Sequence, residues 1–261
     1  MIIGIDFGSS MTKFAVIENG TITHTSRIAH GEDYLAYLQT LNPESASKIM
    51  ICGAGASYIS EDILGIPTIH VEEFDALASG GRFLSGLDEC LVIGLGTGTS
   101  FLHVTKDKTT HLGGSGIGGA LLTTLAKNCC GYTDVDAFLE LAAKGDLAKA
   151  DLQIRDISKT DIDNLYADAT AANMAKINEN TAPCDYATGI ANLVFQNVGV
   201  MAFLADGAYR TGHAVVMGTL ANCEVAKRYF GMVTDLFHIE FILPDNASYG
   251  CAIGAALIGE R

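Results

Sequence analysis

The stretch IHVEEFDALASGG, residues 69–81, carries three carboxylates, on Glu72, Glu73 and Asp75. Acids in such a position can form a solvated helix start, because they favour the positive end of the helix dipole, or they can bind a metal or accept a substrate proton. On a helix Glu72 and Asp75 share one face, whereas Glu73 points about 100° away from Glu72. In a strand the two glutamates also point to opposite sides. The spacing therefore predicts separate roles for the glutamates, with Glu72 on the surface and the role of Asp75 open.

Two glycine turns each follow an apolar run that is typical of a buried strand. They are IDFGSS, residues 5–10, and LGTGTS, residues 95–100, and they align when Gly8 is placed on Gly98. Such turns expose successive backbone N–H groups, and their small hydroxyl residues add donors, so each can hold phosphate oxygens. Each can also be an ordinary hairpin turn, and neither is a P-loop. Their occurrence in both parts of the chain favours two cradles that grip one polyphosphate.

A carboxylate, Asp6, interrupts the apolar run directly before the first turn. Burying a carboxylate without a partner is costly, and a Mg²⁺ ion with its water shell beside the phosphates would be a suitable partner. Lys13, on the following strand, can reach the phosphates or extend its ammonium group into solvent. Further on, Asn19-Gly20 predicts a two-residue hairpin, because a type I′ turn needs positive φ twice.

Other segments predict elements around these turns. Residues 113–127, GGSGIGGALLTTLAK, predict a helix whose glycine-rich start lets a ligand approach the backbone amides. Residues 213–222 predict a buried strand that ends in Gly-Thr, and the small residues of 246–259 predict a helix packed closely against another backbone. Residues 190–209 have the apolar spacing of a core helix, and the more polar segment 136–180 predicts a peripheral helical insertion.

Composition excludes several classes of function. The 261 residues include 16 Lys and Arg against 30 Asp and Glu, a balance that opposes binding to nucleic acid or to an anionic membrane. We find no basic-then-apolar N-terminal signal and no uninterrupted apolar run of membrane length. The seven cysteines lack paired zinc-ligand spacing, and they predict reduced thiols in a cytoplasmic protein. His70, His103 and His111 also fit no zinc spacing, and a structural role is predicted for the first two.

Several motifs occur together in an order that resembles a known superfamily. The segments GIDFGSSMTK, IGLGTGTS, VVMGTLAN and SYGCAIGAALI resemble the two phosphate segments, the adenosine segment and a connecting helix of the sugar kinase/Hsp70/actin superfamily. Within it, VEEFDAL, GGSGIGG, LQIRDI and DATAANMAK are similar to the type II pantothenate kinases. The resemblance implies an α/β fold of two duplicated actin-like (ribonuclease H-like) α/β domains with an ATP cleft between them. It implies domains at residues 1–90 and 91–261, with the helical insertion near 136–180.

The same resemblance implies a reaction, in which the γ-phosphoryl group of ATP moves to the primary hydroxyl of pantothenate, the first step toward coenzyme A. It implies that Glu73 is the catalytic base and contacts the substrate, together with Thr99 and His111. It further implies a cytoplasmic homodimer with pantothenate near the dimer interface, and Mg²⁺ held by Asp6 through water. The residues implied in ATP binding are Asp6, Phe7, Gly8, Ser9, Ser10, Met11, Thr12, Lys13, Thr97, Gly98, Gly119, Ala120, Leu121, Leu122, Thr123, Gly218 and Thr219.

One departure from the family pattern keeps two alternatives open. The family generally has Arg just before the Gly-Gly of the third glycine cluster, where this chain has His111. Because imidazole replaces only part of the hydrogen bonding of Arg, a same-fold kinase for another small hydroxyl compound is one alternative. A non-kinase ATPase that activates a partner enzyme is the other, although Cys129-Cys130 makes a poor site for the iron–sulfur cluster usual in such activators. Arg155 and Asn173 either order a lid on the dimer side or pack on the surface.

Overall fold

A computed structural model describes residues 1–160, 162 and 165–260. The strands in this part of the chain are β1 (Ile2–Phe7), β2 (Met11–Glu18), β3 (Thr21–Ala29), β4 (Lys48–Cys52), β5 (Thr68–His70), β6 (Cys90–Leu95), β7 (Thr99–Val104), β8 (Thr109–Ser115), β9 (Leu152–Gln153), β10 (Thr170–Ala172), β11 (His213–Met217) and β12 (Glu240–Ile242). The α-helices are α1 (Tyr34–Gln39), α2 (Glu73–Ser85), α3 (Gly119–Cys130), α4 (Val135–Ala143), α5 (Leu147–Ala150), α6 (Ile154–Ile157), α7 (Pro183–Asp206), α8 (Glu224–Phe237) and α9 (Gly250–Gly259).

Two five-stranded sheets have the same topology. The first has the order β3-β2-β1-β4-β5, and the second has the order β8-β7-β6-β11-β12. In each sheet the first three strands along the chain pair antiparallel, and the last two run parallel to the first. Parallel neighbours need a crossover, which helices provide, so each sheet has helices packed against it. The predicted pair of duplicated α/β lobes is confirmed.

The strand register corrects the alignment of the two glycine turns. The last pair before the first turn is Phe7–Thr12, and the equivalent pair in the second sheet is Leu95–Thr99. The first turn therefore has one more residue than the second, and counting from the end of β1 or β6 matches Gly8 with Gly96. The match of Gly8 with Gly98 was therefore wrong by two positions, because Gly8 directly follows the end of β1 and Gly96 directly follows the end of β6. The hairpin at Asn19-Gly20 is confirmed, since both residues have positive φ, 51° and 73°.

Helix α9 packs against the first sheet, although the predicted division at residue 90 assigns it to the second domain. An ideal Cβ on Gly4 of β1 would lie 1.9 Å from the Ala252 carbonyl oxygen. Ile253 of α9 is buried in the same apolar cluster as Ile2 and Ala15. Only residues without large side chains allow such close backbone contact, which explains the glycine and alanine content of α9. The division of the chain into 1–90 and 91–261 stays a prediction.

Helix α2 packs against both α9 and the second sheet. Its Gly80 touches the first turn of α9, because an ideal Cβ there would lie 2.0 Å from the Gly250 carbonyl oxygen. On its other side, Gly81 lies against the side chain of Val92 in β6. The helix ends before Gly86, whose φ of 72° allows the left-handed turn that closes many helices. The α2–α9 pair is therefore the packed junction between the two lobes.

The long helix α7 crosses the core of the second lobe. The sequence predicts a core helix over 190–209, and the core role is confirmed, with Ile190, Val194 and Val198 fully buried. The helix begins earlier than predicted, at Pro183, because proline is well suited to a first helical turn. By length and composition it is the one described helix that could cross a membrane, yet 61% of its most apolar window is buried inside the protein.

The predicted insertion near 136–180 comprises α4, α5, α6 and the β9–β10 pair. Its organising group is Asp151, which is fully buried and accepts hydrogen bonds from four donors. These donors are Thr170 Oγ1 at 2.9 Å, Met174 N at 2.7 Å, Asn192 Nδ2 at 2.7 Å and Asn173 Nδ2 at 3.4 Å. Asn173 also donates to Gln196 Oε1 of α7, at 2.9 Å, and so links the insertion to that helix. Arg155 forms an ion pair with Asp168 within the insertion.

Replacing Asp151 with Ala is expected to lower the free energy of unfolding by about 3 kcal/mol, because several buried donors lose their acceptor. Thermal unfolding should show the loss, and hydrogen exchange should show faster exchange of the amides around residues 170–174. Asp107→Ala, in the exposed turn between β7 and β8, is the matched control, with an expected effect within about 0.5 kcal/mol. Equal stability of the two variants would contradict the prediction.

Candidate active site

The two glycine turns meet at the cleft between the lobes. Ser9 is the second residue of the first turn, Thr97 is the second residue of the other, and their hydroxyl oxygens lie 2.7 Å apart. The contact joins positions 88 residues apart in sequence, and both side chains are at the surface. Two sets of small hydroxyl and amide donors are thus brought to one point, as expected for a cradle that holds one polyanion from two sides.

Close backbone contacts build the second turn. An ideal Cβ on Gly98 would lie 2.7 Å from the Ser115 carbonyl oxygen, and one on Gly118 would lie 2.8 Å from the backbone of Gly98. The amides of Gly119 and Ala120 donate to the carbonyls of Gly96 and Thr97, at 2.8 and 3.0 Å. The backbone amides at the start of α3, which were predicted to bind the nucleotide, therefore hydrogen-bond to the second turn instead.

Other residues that were predicted to bind the nucleotide have side chains that contact the rest of the protein. The side chain of Leu122 is fully buried in the core of the second lobe, and Thr123 Oγ1 donates to the carbonyl of Gly119 at 2.9 Å. In the first lobe the ring of Phe7 is buried and packs edge-to-face on Tyr34, with centroids 5.1 Å apart. Contact with a nucleotide through these residues stays a prediction, and for Phe7 and Leu122 it would involve the backbone.

Gly218 and Thr219 lie at the end of β11, next to the end of β6. Gly218 has a φ of 120°, and an ideal Cβ there would lie 2.1 Å from the Leu95 carbonyl oxygen. Its amide donates to the Ala247 carbonyl at 2.9 Å. Only glycine suits this backbone conformation and this contact, so the Gly-Thr segment is held directly beside the second turn.

Asp6 lies at the end of β1, at the edge of the cleft, and only 9% of its surface is exposed. Burial raises the pKa of Asp6 to about 6; the Lys13 ammonium, across the strand pair, lowers this pKa and the Glu73 carboxylate raises it further. No hydrogen bond from the described residues contributes to the shift. One carboxylate oxygen faces Gly53, where an ideal Cβ would lie 2.6 Å away. Asp6 is thus a buried acid that accepts no hydrogen bond from the described residues, although the Lys13 ammonium favours its ionised form.

Glu73 is the first residue of α2, and its side chain is exposed. It is close enough to Asp6 and to the thiols of Cys52 and Cys251 for its charge to raise their pKa values. Glu72 precedes the helix and makes no capping hydrogen bond through its side chain, and Asp75 is exposed in the first turn. Both glutamates are exposed, and their separate roles stay a prediction.

The predicted substrate contacts occupy different environments. The imidazole of His111 stacks on the ring of Phe74, with centroids 4.6 Å apart and an angle of 21° between the planes. This places His111 next to the residue that follows Glu73. Thr99 is buried, and its hydroxyl donates to the Ile117 carbonyl at 2.7 Å. His111 is thus available at the surface beside Glu73, whereas the hydroxyl hydrogen of Thr99 already has an acceptor in the protein.

The other two histidines have partners elsewhere, in accord with the structural role predicted for them. His103 Nε2 lies 2.7 Å from a carboxylate oxygen of Glu89, and its ring stacks on Tyr209. His70 Nε2 lies 2.9 Å from the Ile59 carbonyl oxygen. Among the described residues no three His, Cys, Asp or Glu side chains are grouped so as to hold a metal ion.

Sequence reasoning missed two residues of the site, Gly53 and Phe74. Gly53 follows β4, has a φ of 86° and gives Asp6 its space. The signal was a glycine directly after a buried apolar strand, the same pattern that identified the other turns. Phe74 gave no comparable signal, because its partner His111 comes from a distant strand.

The sequence matches the model of a known protein family. The Fumble family model matches residues 89–225, more than half of the chain. The chain belongs to the Fumble family. This Fumble protein is 27% identical over 265 residues to a type II pantothenate kinase of Oceanobacillus iheyensis, with 98% of each chain covered. It is also 27% identical over 268 residues to the type II pantothenate kinase of Staphylococcus haemolyticus, again with 98% of each chain covered. The resemblance inferred from the motifs is confirmed.

Solved structures with the same fold include a dehydratase activator and a glucokinase. The Fumble protein superposes on the activator of 2-hydroxyisocaproyl-CoA dehydratase from Clostridium difficile, solved with bound ADPNP, with a TM-score of 0.71 and 19% identity, over 98% of this chain and 93% of that one. A ROK family glucokinase from Streptomyces griseus, in complex with glucose and AMPPNP, gives a TM-score of 0.62 and 13% identity, over 98% of both chains. At these identities the likeness shows the fold alone.

Proposed function

We propose that this protein is an ATP-dependent kinase that transfers the γ-phosphoryl group of ATP to the primary hydroxyl of pantothenate, the first step toward coenzyme A. The observation that carries the proposal is the meeting of two equivalent glycine-hydroxyl turns, at Ser9 and Thr97, beside the carboxylates of Asp6 and Glu73. The names of the full-length relatives, type II pantothenate kinases, support the choice of substrate.

ATP would lie in the cleft with its phosphates between the two turns. The first turn and Lys13 would hold them from one side, and the second turn from the other. The Gly-Thr pair at 218–219 would lie beside the adenosine, in agreement with its position next to the second turn. The nucleotide analogues bound to the C. difficile activator and the S. griseus glucokinase, which share this fold, support ATP as the ligand.

The residues present fit a magnesium ion held through water. Asp6 is buried and has no hydrogen-bonding partner among the described residues, and Gly53 leaves space against its carboxylate. A single carboxylate suits Mg²⁺, which keeps several of its waters and binds substrate phosphates. A cation there would also favour ionised Asp6 and lower its pKa. When bound, the ion would neutralise charge on the phosphates.

Glu73 would act as the base. Phosphoryl transfer needs positioning, neutralisation of charge and a group that accepts the proton of the attacking hydroxyl. Glu73 is exposed at the N-terminus of α2 and lies near Asp6, where a hydroxyl compound entering the cleft can meet it. Its carboxylate would take the hydroxyl proton while the hydroxyl oxygen bonds to the γ-phosphorus and the bond to ADP breaks.

His111 and Thr99 complete the proposed substrate site, together with Glu73. An imidazole edge can hydrogen-bond to the amide or carboxylate of pantothenate, although not in the two-pronged way of arginine. Family members suggest a homodimer with the substrate near its interface, and this assembly and a cytoplasmic location are part of the proposal. Analytical ultracentrifugation at assay concentration would test the dimer.

The function is tested by ADP release from ATP and Mg²⁺ with pantothenate and with a panel of small primary alcohols. We expect turnover that depends on pantothenate, and phosphopantothenate as the product by mass spectrometry. Turnover of another alcohol but not of pantothenate would favour the same-fold kinase with a different substrate. ADP release that needs no alcohol, in a protein that purifies with a brown chromophore, would favour the activator ATPase.

A further inference from the structure

Phe74 and His111 form an aromatic pair near the proposed base. Phe74 directly follows Glu73, and 38% of its surface is exposed. Its one aromatic partner among the described residues is His111, which stacks on it from β8 with centroids 4.6 Å apart. A large apolar ring left partly open at the edge of a cleft is a surface on which a ligand can pack.

Phe74 directly follows the proposed base in the chain and contacts the proposed substrate residue His111. Neighbouring residues of a helix are turned by about 100°, so the ring of Phe74 and the carboxylate of Glu73 point in different directions. Both belong to the first turn of α2, where side chains tilt toward the N-terminus of the helix. The ring of Phe74 can therefore form one side of a substrate site to which His111 and Glu73 also contribute.

Strand β8, which carries His111, has an irregularity next to that residue. The pairing of β7 with β8 shifts between Phe101 and Leu102, so that Leu112 is an extra residue between His111 and Gly113. Gly113 has a φ of 147° at this irregularity. Bulges of this kind redirect a side chain, and they are frequent beside active sites. Here the bulge lies directly next to His111. The imidazole of His111 covers one face of the Phe74 ring and limits the rotation of that ring.

Because the proposed substrate carries two methyl groups on the carbon next to the one that bears its primary hydroxyl, we infer that Phe74 determines specificity by packing its ring against that branched carbon. This inference rests on the proposed function and deepens it. It assigns His111 a second task, which is to keep the ring of Phe74 in place. The selected class of substrate is thus a primary alcohol with a branched, apolar neighbouring carbon.

The test compares pantothenate with an analogue that keeps the hydroxyl and the carboxylate but lacks both methyl groups. For the unaltered protein we expect kcat/KM to be at least about tenfold higher for pantothenate, since each methyl group in an apolar pocket contributes several-fold. In Phe74→Ala this ratio should fall to about twofold or less, mainly through lost kcat/KM for pantothenate. Phe74→Tyr keeps the ring and its stacking, and should keep the ratio.

Controls separate a change of specificity from a loss of folding. Phe74→Leu keeps apolar bulk without a flat ring and should give an intermediate ratio, and ATP binding should be unchanged in all three variants. An unchanged ratio in an active Phe74→Ala variant would overturn the inference while leaving the proposed function intact. If the unaltered protein has nearly equal kcat/KM for pantothenate and for the analogue without methyl groups, the inference is also overturned and the proposed function stays intact. Absence of any pantothenate turnover by the unaltered protein would remove the proposed function, and this inference with it.

Discussion

Replacing Glu73 with Gln is expected to lower kcat for pantothenate phosphorylation by roughly 10²- to 10⁴-fold, the usual contribution of a positioned base. The amide keeps the size and the hydrogen bonding of the carboxylate but cannot accept the hydroxyl proton. Because Glu73 is exposed in the first turn of α2, we expect the fold and the affinity for ATP to be unchanged. Steady-state kinetics with calorimetric ATP titration would measure both quantities.

The neighbouring glutamate provides a matched control. Glu72→Gln makes the same chemical change one residue earlier, also at an exposed position outside the helix. We expect its kcat to stay within about twofold of the unaltered protein, since the proposed acceptor of the hydroxyl proton is Glu73 and not Glu72. Near-normal turnover of Glu73→Gln, or equal losses in both variants, would rule out Glu73 as the base.

Gly254→Ala is expected to be the most damaging small substitution for stability. An ideal Cβ at Gly254 would lie 1.8 Å from the Ala76 carbonyl oxygen and 2.6 Å from the Gly80 amide nitrogen, so α9 and α2 must move apart. We expect a loss of about 3 kcal/mol or more, because the obstacle is backbone, and a fall of roughly 10 °C in Tm. Since α2 carries Glu73, kcat of the folded fraction should fall as well.

The control for this change is another helical glycine. Gly231 lies in α8, and an ideal Cβ there would meet no atom within 4 Å. Gly231→Ala should therefore raise stability, by up to about 1 kcal/mol, because alanine loses less entropy in a helix than glycine. Differential scanning calorimetry of the two variants would compare them directly. A Gly254→Ala protein as stable as Gly231→Ala would contradict the close packing of α2 on α9.

Local features of the chain were predictable from sequence. A glycine turn after an apolar strand depends on a few neighbouring residues, and so does the Asn19-Gly20 hairpin, with both φ values positive. The burial of Asp6 followed from its position in an apolar strand, whereas its role at a magnesium ion stays a proposal. Each of these predictions needed only the residue and its immediate surroundings.

Features that join distant parts of the chain were beyond such reasoning. The match of Gly8 with Gly98 failed by two positions, because only the strand register shows where β1 and β6 end. The stacking of Phe74 on His111 depends on an irregularity in β8. The amides of Gly119 and Ala120 looked free for a ligand in sequence, but the second turn supplies their acceptors.

The packing of α9 on β1 has a consequence for the order in which the protein is made. Ile2 and Ala15 share their apolar cluster with Ile253 of α9, so the core of the first lobe needs residues from far along the chain. At ribosomal speeds of about 5–20 residues per second, α9 emerges roughly 10 to 50 s after β1. The strands of the second sheet, which end at Ile242, emerge before α9 does. The lobe that is synthesised first is therefore completed last, and during that interval its apolar face is open to chaperones or to other nascent chains.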